Sequence, residues 1–329
     1  MMTERVGDGL QNHTGRFDSG SSLQKTFPYY PTDRDWRKEK FESYIRFQGY
    51  LWKGKDITQT MHGLALSWSY MPHAYAVKCK NMRSPLQTFQ EEKYEVLKKK
   101  IDQLNLGETP DGLRRVCKII TGSQGVSNFR PTAAHAIYRK YLPDGGLAWD
   151  MSGGYGGRLL GAIKANIDYI TTEPSEKTVN GLREIIQDWG YTPNVFGTKN
   201  YLEVVQSGSE EFVPDIESLD FCFTSPPYFD TEKYSDEESQ SYIKFPTKSE
   251  WVDGFLRRTI QNCRYGLKQN RYMLINIANV DSFSNLEEEC KRVAIEEGFT
   301  HEDTFRLALS KLNAGGFKYE PILIFKKWR

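Results

Sequence analysis

The sequence predicts an α/β protein with a doubly wound, mostly parallel sheet, preceded by a mainly helical N-terminal extension. From residue 146 onward, short apolar segments alternate with longer amphipathic ones, which is typical of strands alternating with helices. A glycine-rich turn directly follows the first apolar segment, at the position where such sheets bind ligands. The last two apolar segments have no helix between them and predict an antiparallel pair at the C-terminus.

The composition indicates a soluble protein with a buried hydrophobic core. The 329 residues are 38% hydrophobic and 26% charged. The N-terminus lacks a secretory signal, and residues 1–24, polar and rich in Gly and Ser, predict a disordered tail. The five cysteines are isolated, so the sequence predicts neither a disulfide framework nor a metal site and favours the cytoplasm.

The charge is unevenly distributed and predicts a boundary near residue 118. Residues 25–118 contain 18 Lys and Arg against 11 Asp and Glu, whereas residues 119–329 contain 24 against 29. A basic region joined to an acidic one suggests that the first meets a polyanion, here as a DNA-contacting or target-recognition region. An incidental excess of surface lysines is the alternative.

Two segments of this basic region have a recognisable pattern. Residues 28–52 interleave aromatic and basic side chains, which suits stacking on bases and holding phosphates, or equally a small core with charged rims. Residues 87–104 have apolar side chains near helical spacing and predict one exposed amphipathic helix.

The elements of the larger region follow in order. Strands are predicted at 146–150, 168–173, 201–206, 220–224 and 272–277. Helices are predicted at 157–166, 176–189, 251–267 and 284–298, the second of them capped by Ser175. The closing strands, 303–309 and 319–326, are joined by a loop that contains Gly315 and Gly316.

The glycine-rich turn after the first strand predicts a nucleoside site. It begins at Asp150, contains Ser152, and carries Gly154 and Gly156, which let the backbone approach a ligand closely. The dinucleotide fingerprint is not met, because Leu159 occupies the place of its third glycine. An acidic residue followed by this shorter glycine pattern suits a nucleoside without a pyrophosphate. The alternative is a plain strand-to-helix turn, which would have the same sequence pattern.

Two further carboxylates lie after the next strands. Glu173 ends the second strand, 23 residues after Asp150, where a carboxylate can accept both ribose hydroxyl protons. Glu210, in the polar segment after the third strand, is a candidate partner for an adenine amine. An ordinary polar turn explains the segment that contains Glu210 equally well.

The loop after the fourth strand, residues 225–228, indicates which chemical group the protein acts on. Pro226 and Pro227 fix an extended loop without backbone donors of its own. The Ser225 hydroxyl and the Pro226 carbonyl can therefore both accept hydrogen bonds from one NH2 group. Tyr228 offers a face for stacking on a planar ring, with Phe229 as a possible helper. Such a loop suits an exocyclic amine as the methyl acceptor.

These motifs, taken together, resemble those of the amino-methylating DNA methyltransferases, which modify cytosine N4 or adenine N6. The resemblance covers residues 120–329, and the runs 156–162 and 224–241 are similar to a subgroup common in phage and bacterial genomes. It implies a class I, Rossmann-like methyltransferase fold with S-adenosyl-L-methionine as cofactor. Phe129, Arg130 and Thr132 lie in a segment similar to the one that this family places against the methionine end of the cofactor.

The resemblance also implies a substrate. Ser225 stands where adenine enzymes usually carry Asp or Asn, so cytosine N4 is favoured over adenine N6. The target in double-stranded DNA must be flipped out of the stack. Guanine in RNA, a glutamine amide and an inactive DNA-binding methyltransferase fold remain as alternatives. A partner nuclease, and hence a restriction-modification role, is open, as is the choice between monomer and homodimer.

Overall fold

The computed structural model describes residues 26–190, 199–234, 236–311 and 317–328. The predicted tail at 1–24 and the loop residues Gly315 and Gly316 lie outside these ranges. Within the described residues, no helix is both long enough and apolar enough to cross a membrane.

A nine-stranded sheet forms the centre of the protein, and a two-stranded sheet lies apart from it. The strands are β1 (Trp52–Lys53), β2 (Asp56–Ile57), β3 (Lys78–Cys79), β4 (Leu147–Asp150), β5 (Asp168–Thr172), β6 (Leu202–Val205), β7 (Leu219–Thr224), β8 (Glu232–Lys233), β9 (Leu267–Asn276), β10 (Phe299–Lys311) and β11 (Phe317–Lys327).

The order of the large sheet is β1-β2-β10-β11-β9-β7-β4-β5-β6, and β3 pairs with β8. Strands β6, β5, β4, β7 and β9 are parallel, whereas β11 is antiparallel to both β9 and β10. The predicted doubly wound sheet with an antiparallel C-terminal strand is therefore confirmed, and the order is that of the class I methyltransferase fold. The chain adds β5 and β6 on one side of β4 and β7 on the other, which leaves a ligand crevice at their carboxyl ends.

Helices cover both faces of this sheet. They are α1 (Arg34–Arg46), α2 (Leu64–Ser69), α3 (Pro85–Glu91), α4 (Tyr94–Gln103), α5 (Pro110–Ile119), α6 (Pro131–Tyr141), α7 (Gly157–Ala165), α8 (Glu176–Trp189), α9 (Ser241–Lys244), α10 (Lys248–Glu250), α11 (Arg258–Gly266) and α12 (Leu286–Glu296), with a 3₁₀-helix at Pro72–Ala76 and a π-helix at Trp251–Arg257.

The predicted elements of the larger region all occur, with shifted ends. The closing strands are longer than the apolar pattern indicated, because the antiparallel pairing of β10 and β11 continues past it. The predicted helix 251–267 is π-helical over its first seven residues. Ser175 occupies the N-cap position of α8, but its side chain makes no capping hydrogen bond.

The prediction of one exposed helix over 87–104 is wrong. The chain is extended at Glu92 and Lys93, so that α3 and α4 are separate helices. The apolar face of α4 is buried, because Leu97 and Ile101 belong to a hydrophobic cluster with Phe27 and helix α5.

Aromatic residues of the 28–52 segment pack into the main core. Tyr44 is fully buried, and its hydroxyl donates to the carbonyls of Pro131 and Leu160 at 3.1 and 3.2 Å. The Phe41 ring stacks on Trp189 with a centroid distance of 4.4 Å. Strand β2 also joins the large sheet beside β10. The hydrophobic core is thus shared by the N-terminal region and the sheet.

Candidate functional site

The glycine turn after β4 depends on one left-handed backbone conformation and one close backbone approach. Gly154 has a φ of +53°, a conformation that side chains with a Cβ rarely adopt. A Cβ at Gly157 would lie 1.8 Å from the Phe129 carbonyl oxygen, so only glycine lets the segment before α6 pass the start of α7. The turn and the segment around Phe129 therefore form one side of a shared crevice.

Asp150 organises this edge of the sheet from inside the core. It is fully buried, and its carboxylate accepts from Arg158 Nε at 2.7 Å and from the Tyr169 hydroxyl at 2.6 Å. It also accepts from the Ser152 N–H and the Thr224 hydroxyl, at 3.2 and 3.0 Å. With these four donors it ties β4 to β5, β7 and α7.

A cavity of about 300 Å³ lies over the carboxyl ends of the parallel strands. Ten of the thirteen predicted site residues line it: Phe129, Arg130, Ser152, Gly154, Glu173, Glu210, Ser225, Pro226, Pro227 and Tyr228. The other three, Thr132, Asp150 and Gly156, lie behind its wall. Thr132 is buried, and its hydroxyl accepts from the Thr60 N–H at 3.2 Å, so it supports the wall rather than facing a ligand.

Glu173 is a buried carboxylate on the floor of this cavity. It accepts from the backbone N–H groups of Gly154 and Ser175 at 3.0 and 3.1 Å. Burial raises the pKa of Glu173 to about 7, although the two backbone hydrogen bonds oppose this rise. The carboxylate is therefore fixed in position, next to the glycine turn.

Glu210 lies at the end of the cavity beyond β6. Its carboxylate forms an ion pair with Lys244, which also pairs with Glu211. Asn262 of α11 donates to the carbonyl of Ser209 at 3.1 Å, which fixes the turn. Glu210, the candidate that the sequence weighed against an ordinary polar turn, is thus buried together with Gly208 and Ser209.

The loop after β7 lines the same cavity as the glycine turn. The Tyr228 hydroxyl donates to the Asn276 carbonyl at 3.3 Å and lies beside Ser225 and Glu320, so its ring spans part of the cavity wall. Burial raises the Tyr228 pKa well above its usual value. Phe229 has a φ of +58° and packs against Trp251 and Phe283, so it is not placed to stack on a base.

Sequence reasoning missed several lining residues. Glu232 and Tyr234, which follow the Ser225–Tyr228 loop, line the cavity, and the tyrosine hydroxyl donates to the carboxylate. Burial raises the pKa of both Glu232 and Glu320. Asn276 ends parallel strand β9, and Glu320 lies in antiparallel β11 two residues before Ile322, which pairs with Asn276. The carboxyl edge of the parallel strands was therefore a signal for Asn276, whereas Glu320 depends on the register of β11. Phe255 reaches the cavity from the π-helix, a feature frequent at functional sites.

His135 lies outside this cavity. Burial lowers its pKa to about 4, which keeps the imidazole neutral at physiological pH. This position on α6 is consistent with a structural role for the histidine.

No protein-family model and no curated protein matches this chain. Solved structures are distantly similar to it. A methyltransferase from Pyrococcus furiosus has 14% identity over 70% of this chain and 98% of its own, with a TM-score of 0.42. Magnesium protoporphyrin IX methyltransferase from Synechocystis PCC 6803, with bound S-adenosylmethionine, has 14% identity over 62% and 86%, with a TM-score of 0.41. A Burkholderia thailandensis 1,6-didemethyltoxoflavin-N1-methyltransferase has 12% identity over 60% and 78%, with a TM-score of 0.42.

Proposed function

We propose that this protein is a DNA methyltransferase that transfers the methyl group of S-adenosylmethionine to the exocyclic amine of a flipped base. The amine that we propose is N4 of cytosine. One observation carries the proposal. The glycine turn, the Glu173 carboxylate and the Ser225–Tyr228 loop come from distant parts of the sequence and line one cavity at the carboxyl edge of the sheet.

The residues of the cavity fit this cofactor. Glu173 holds its carboxylate beside the Gly154 turn, where it can accept from ribose hydroxyls. Glu210 provides an acceptor at the far end for the adenine amine, and Arg130 provides a cation for the methionine carboxylate. S-adenosylmethionine, when bound, supplies a methyl group already activated on a sulfonium. The protein itself therefore needs no strong nucleophile.

The loop orients the amine. The Ser225 hydroxyl and the Pro226 carbonyl accept hydrogen bonds from its two N–H groups, which directs the nitrogen lone pair toward the cofactor side of the cavity. The Tyr228 ring stacks on the base. This role is consistent with a hydroxyl anchored on Asn276.

Two half-buried carboxylates give the target side of the cavity an acidic lining. Glu232 and Glu320 both line it, and each raises the pKa of the Tyr228 hydroxyl through its charge. As the new carbon–nitrogen bond forms and the carbon–sulfur bond of the cofactor breaks to release S-adenosylhomocysteine, the amine nitrogen would become positively charged until it loses one proton to solvent. Carboxylates beside it stabilise that charge more than the neutral amine, which lowers the barrier.

The N-terminal region supports a nucleic-acid substrate. Its basic composition suits a phosphate backbone. Gln59 of this region lines the same cavity and donates to the Leu309 carbonyl of β10 at 3.3 Å. A region that both carries the basic charge and reaches the cavity is suited to hold DNA around a flipped base.

Transfer of a labelled methyl group to DNA, RNA and protein substrates tests the proposal. We expect label in double-stranded DNA, at cytosine N4, and a rate that falls steeply with salt. Label in adenine would keep the enzyme class and move the target to N6. Label in protein or RNA alone would contradict the proposal, and cofactor binding without transfer to any substrate would favour an inactive DNA-binding protein.

A further inference from the structure

Gln240 is a buried polar side chain with an unused donor. It is 4% exposed and lines the cavity. Its Nε2 has no hydrogen-bond partner among the described residues. Buried donors in native proteins are nearly always paired, so an unpaired donor at a cavity wall indicates that a ligand carries its acceptor.

The segment that carries Gln240 crosses the cofactor end of the cavity. We call residues 236–244 the strap. The Ser239 hydroxyl donates to the carbonyl of Pro174, next to Glu173, at 3.5 Å. At its other end, Lys244 forms the ion pair with Glu210. Gln240 therefore lies on the strap between the carboxylate proposed for the ribose and the one proposed for the adenine amine.

The two residues that follow Glu210 offer no free backbone N–H group for a ring nitrogen. The N–H groups of Glu211 and Phe212 both donate to the Gly208 carbonyl, at 3.1 and 3.3 Å. An adenine bound with its amine at Glu210 presents the neighbouring N1, an acceptor, to the same wall. The unused Nε2 of Gln240 is a donor on that wall.

We propose that Gln240 donates a hydrogen bond to N1 of the cofactor adenine while Glu210 accepts from its amine, so that the strap reads the base of the cofactor. This rests on the proposed use of S-adenosylmethionine. A donor beside an acceptor matches adenine and rejects hypoxanthine, in which N1 carries a proton and a carbonyl replaces the amine.

Calorimetric titration with S-adenosylhomocysteine and its 1-deaza analogue, which lacks N1, tests the contact. We expect wild type to bind the 1-deaza analogue about tenfold more weakly than the parent compound, the effect of one lost hydrogen bond. Gln240→Met, of similar length and without a donor, should bind both compounds equally and as weakly as wild type binds the analogue. Gln187→Met, an exposed change on α8, should behave as wild type.

The outcomes separate the two proposals. If wild type binds S-adenosylhomocysteine and Gln240→Met binds it equally well, the assignment of Gln240 is overturned and the proposed function stands. If Gln240→Met still binds the 1-deaza analogue tenfold more weakly than the parent compound, another residue contacts N1 and the assignment of Gln240 is overturned as well. If wild type binds neither compound, the proposed function is overturned, and the role of Gln240 with it.

Discussion

Replacement of Glu173 by Gln should change stability in a way that depends on pH. Glu173 is 9% exposed, and burial raises its pKa from the usual 4.5 to about 7. A carboxyl with a raised pKa in the folded state stabilises the protein fully below the unfolded pKa. That contribution is lost as the pH rises through 4.5 toward 7, because the ionised form must be buried. Gln has nearly the same shape as the protonated carboxyl and does not ionise.

The size of the effect follows from the two pKa values. Because the pKa of Glu173 is near 7 in the folded state and near 4.5 in the unfolded state, its contribution to the free energy of unfolding of wild type falls by about 2 to 3 kcal/mol between pH 5 and pH 8. The free energy of unfolding of Glu173→Gln minus that of wild type should therefore rise by this amount between the two pH values. A pH-independent loss adds to this difference, because the Gln NH2 group cannot accept from one of the two backbone N–H groups that Glu173 holds. The variant should also bind S-adenosylhomocysteine at least about tenfold more weakly, because it lacks the charge that accepts from the ribose hydroxyls.

Urea unfolding at pH 5 and pH 8 measures the difference. Glu176→Gln, an exposed change in the first turn of α8, is the matched control and should show no such rise. A difference between Glu173→Gln and wild type that stays constant with pH would refute the argument that this carboxyl is buried with a raised pKa.

Three further changes test other parts of the site. Ser225→Ala and Tyr228→Ala should each lose most methyl transfer while binding S-adenosylhomocysteine as wild type does; wild-type rates in both would remove this loop from the mechanism. Asp150→Asn should lower the free energy of unfolding by about 3 to 5 kcal/mol in urea titrations, because Arg158 is left as an unpaired buried charge; a loss under 1 kcal/mol would contradict this. Glu320→Gln should lower kcat about tenfold with little change in KM for DNA; a change in KM alone would assign it to binding.

The sheet and much of its ligand edge were predictable because their signals are local. A strand that ends at Asp150 before a glycine turn, and a strand that ends before Pro226, specify their own positions at the sheet edge. The parallel order then brings them together. Asp150 ends the first strand of the parallel sheet, as predicted. The four hydrogen bonds that its carboxylate accepts inside the protein could not be predicted from its position at the end of a strand.

The N-terminal packing depends on contacts between residues distant in sequence. Strand β2 pairs with β10 about 250 residues later, and Tyr44 donates to Pro131 and Leu160. No periodicity within residues 25–118 reports on such partners. Gln240 was likewise invisible in the sequence, because its position depends on how the strap crosses from Pro174 to Glu210.

Sequencing of DNA from cells that express this protein, with a method that separates 4-methylcytosine from 6-methyladenine, tests the proposed function most directly. We expect 4-methylcytosine at one recurring sequence, and none in cells that express Ser225→Ala. 6-Methyladenine at a recurring sequence would contradict the assignment of the base. DNA without either modification, from cells with the full-length protein folded and able to bind S-adenosylhomocysteine, would contradict the assignment of DNA as substrate.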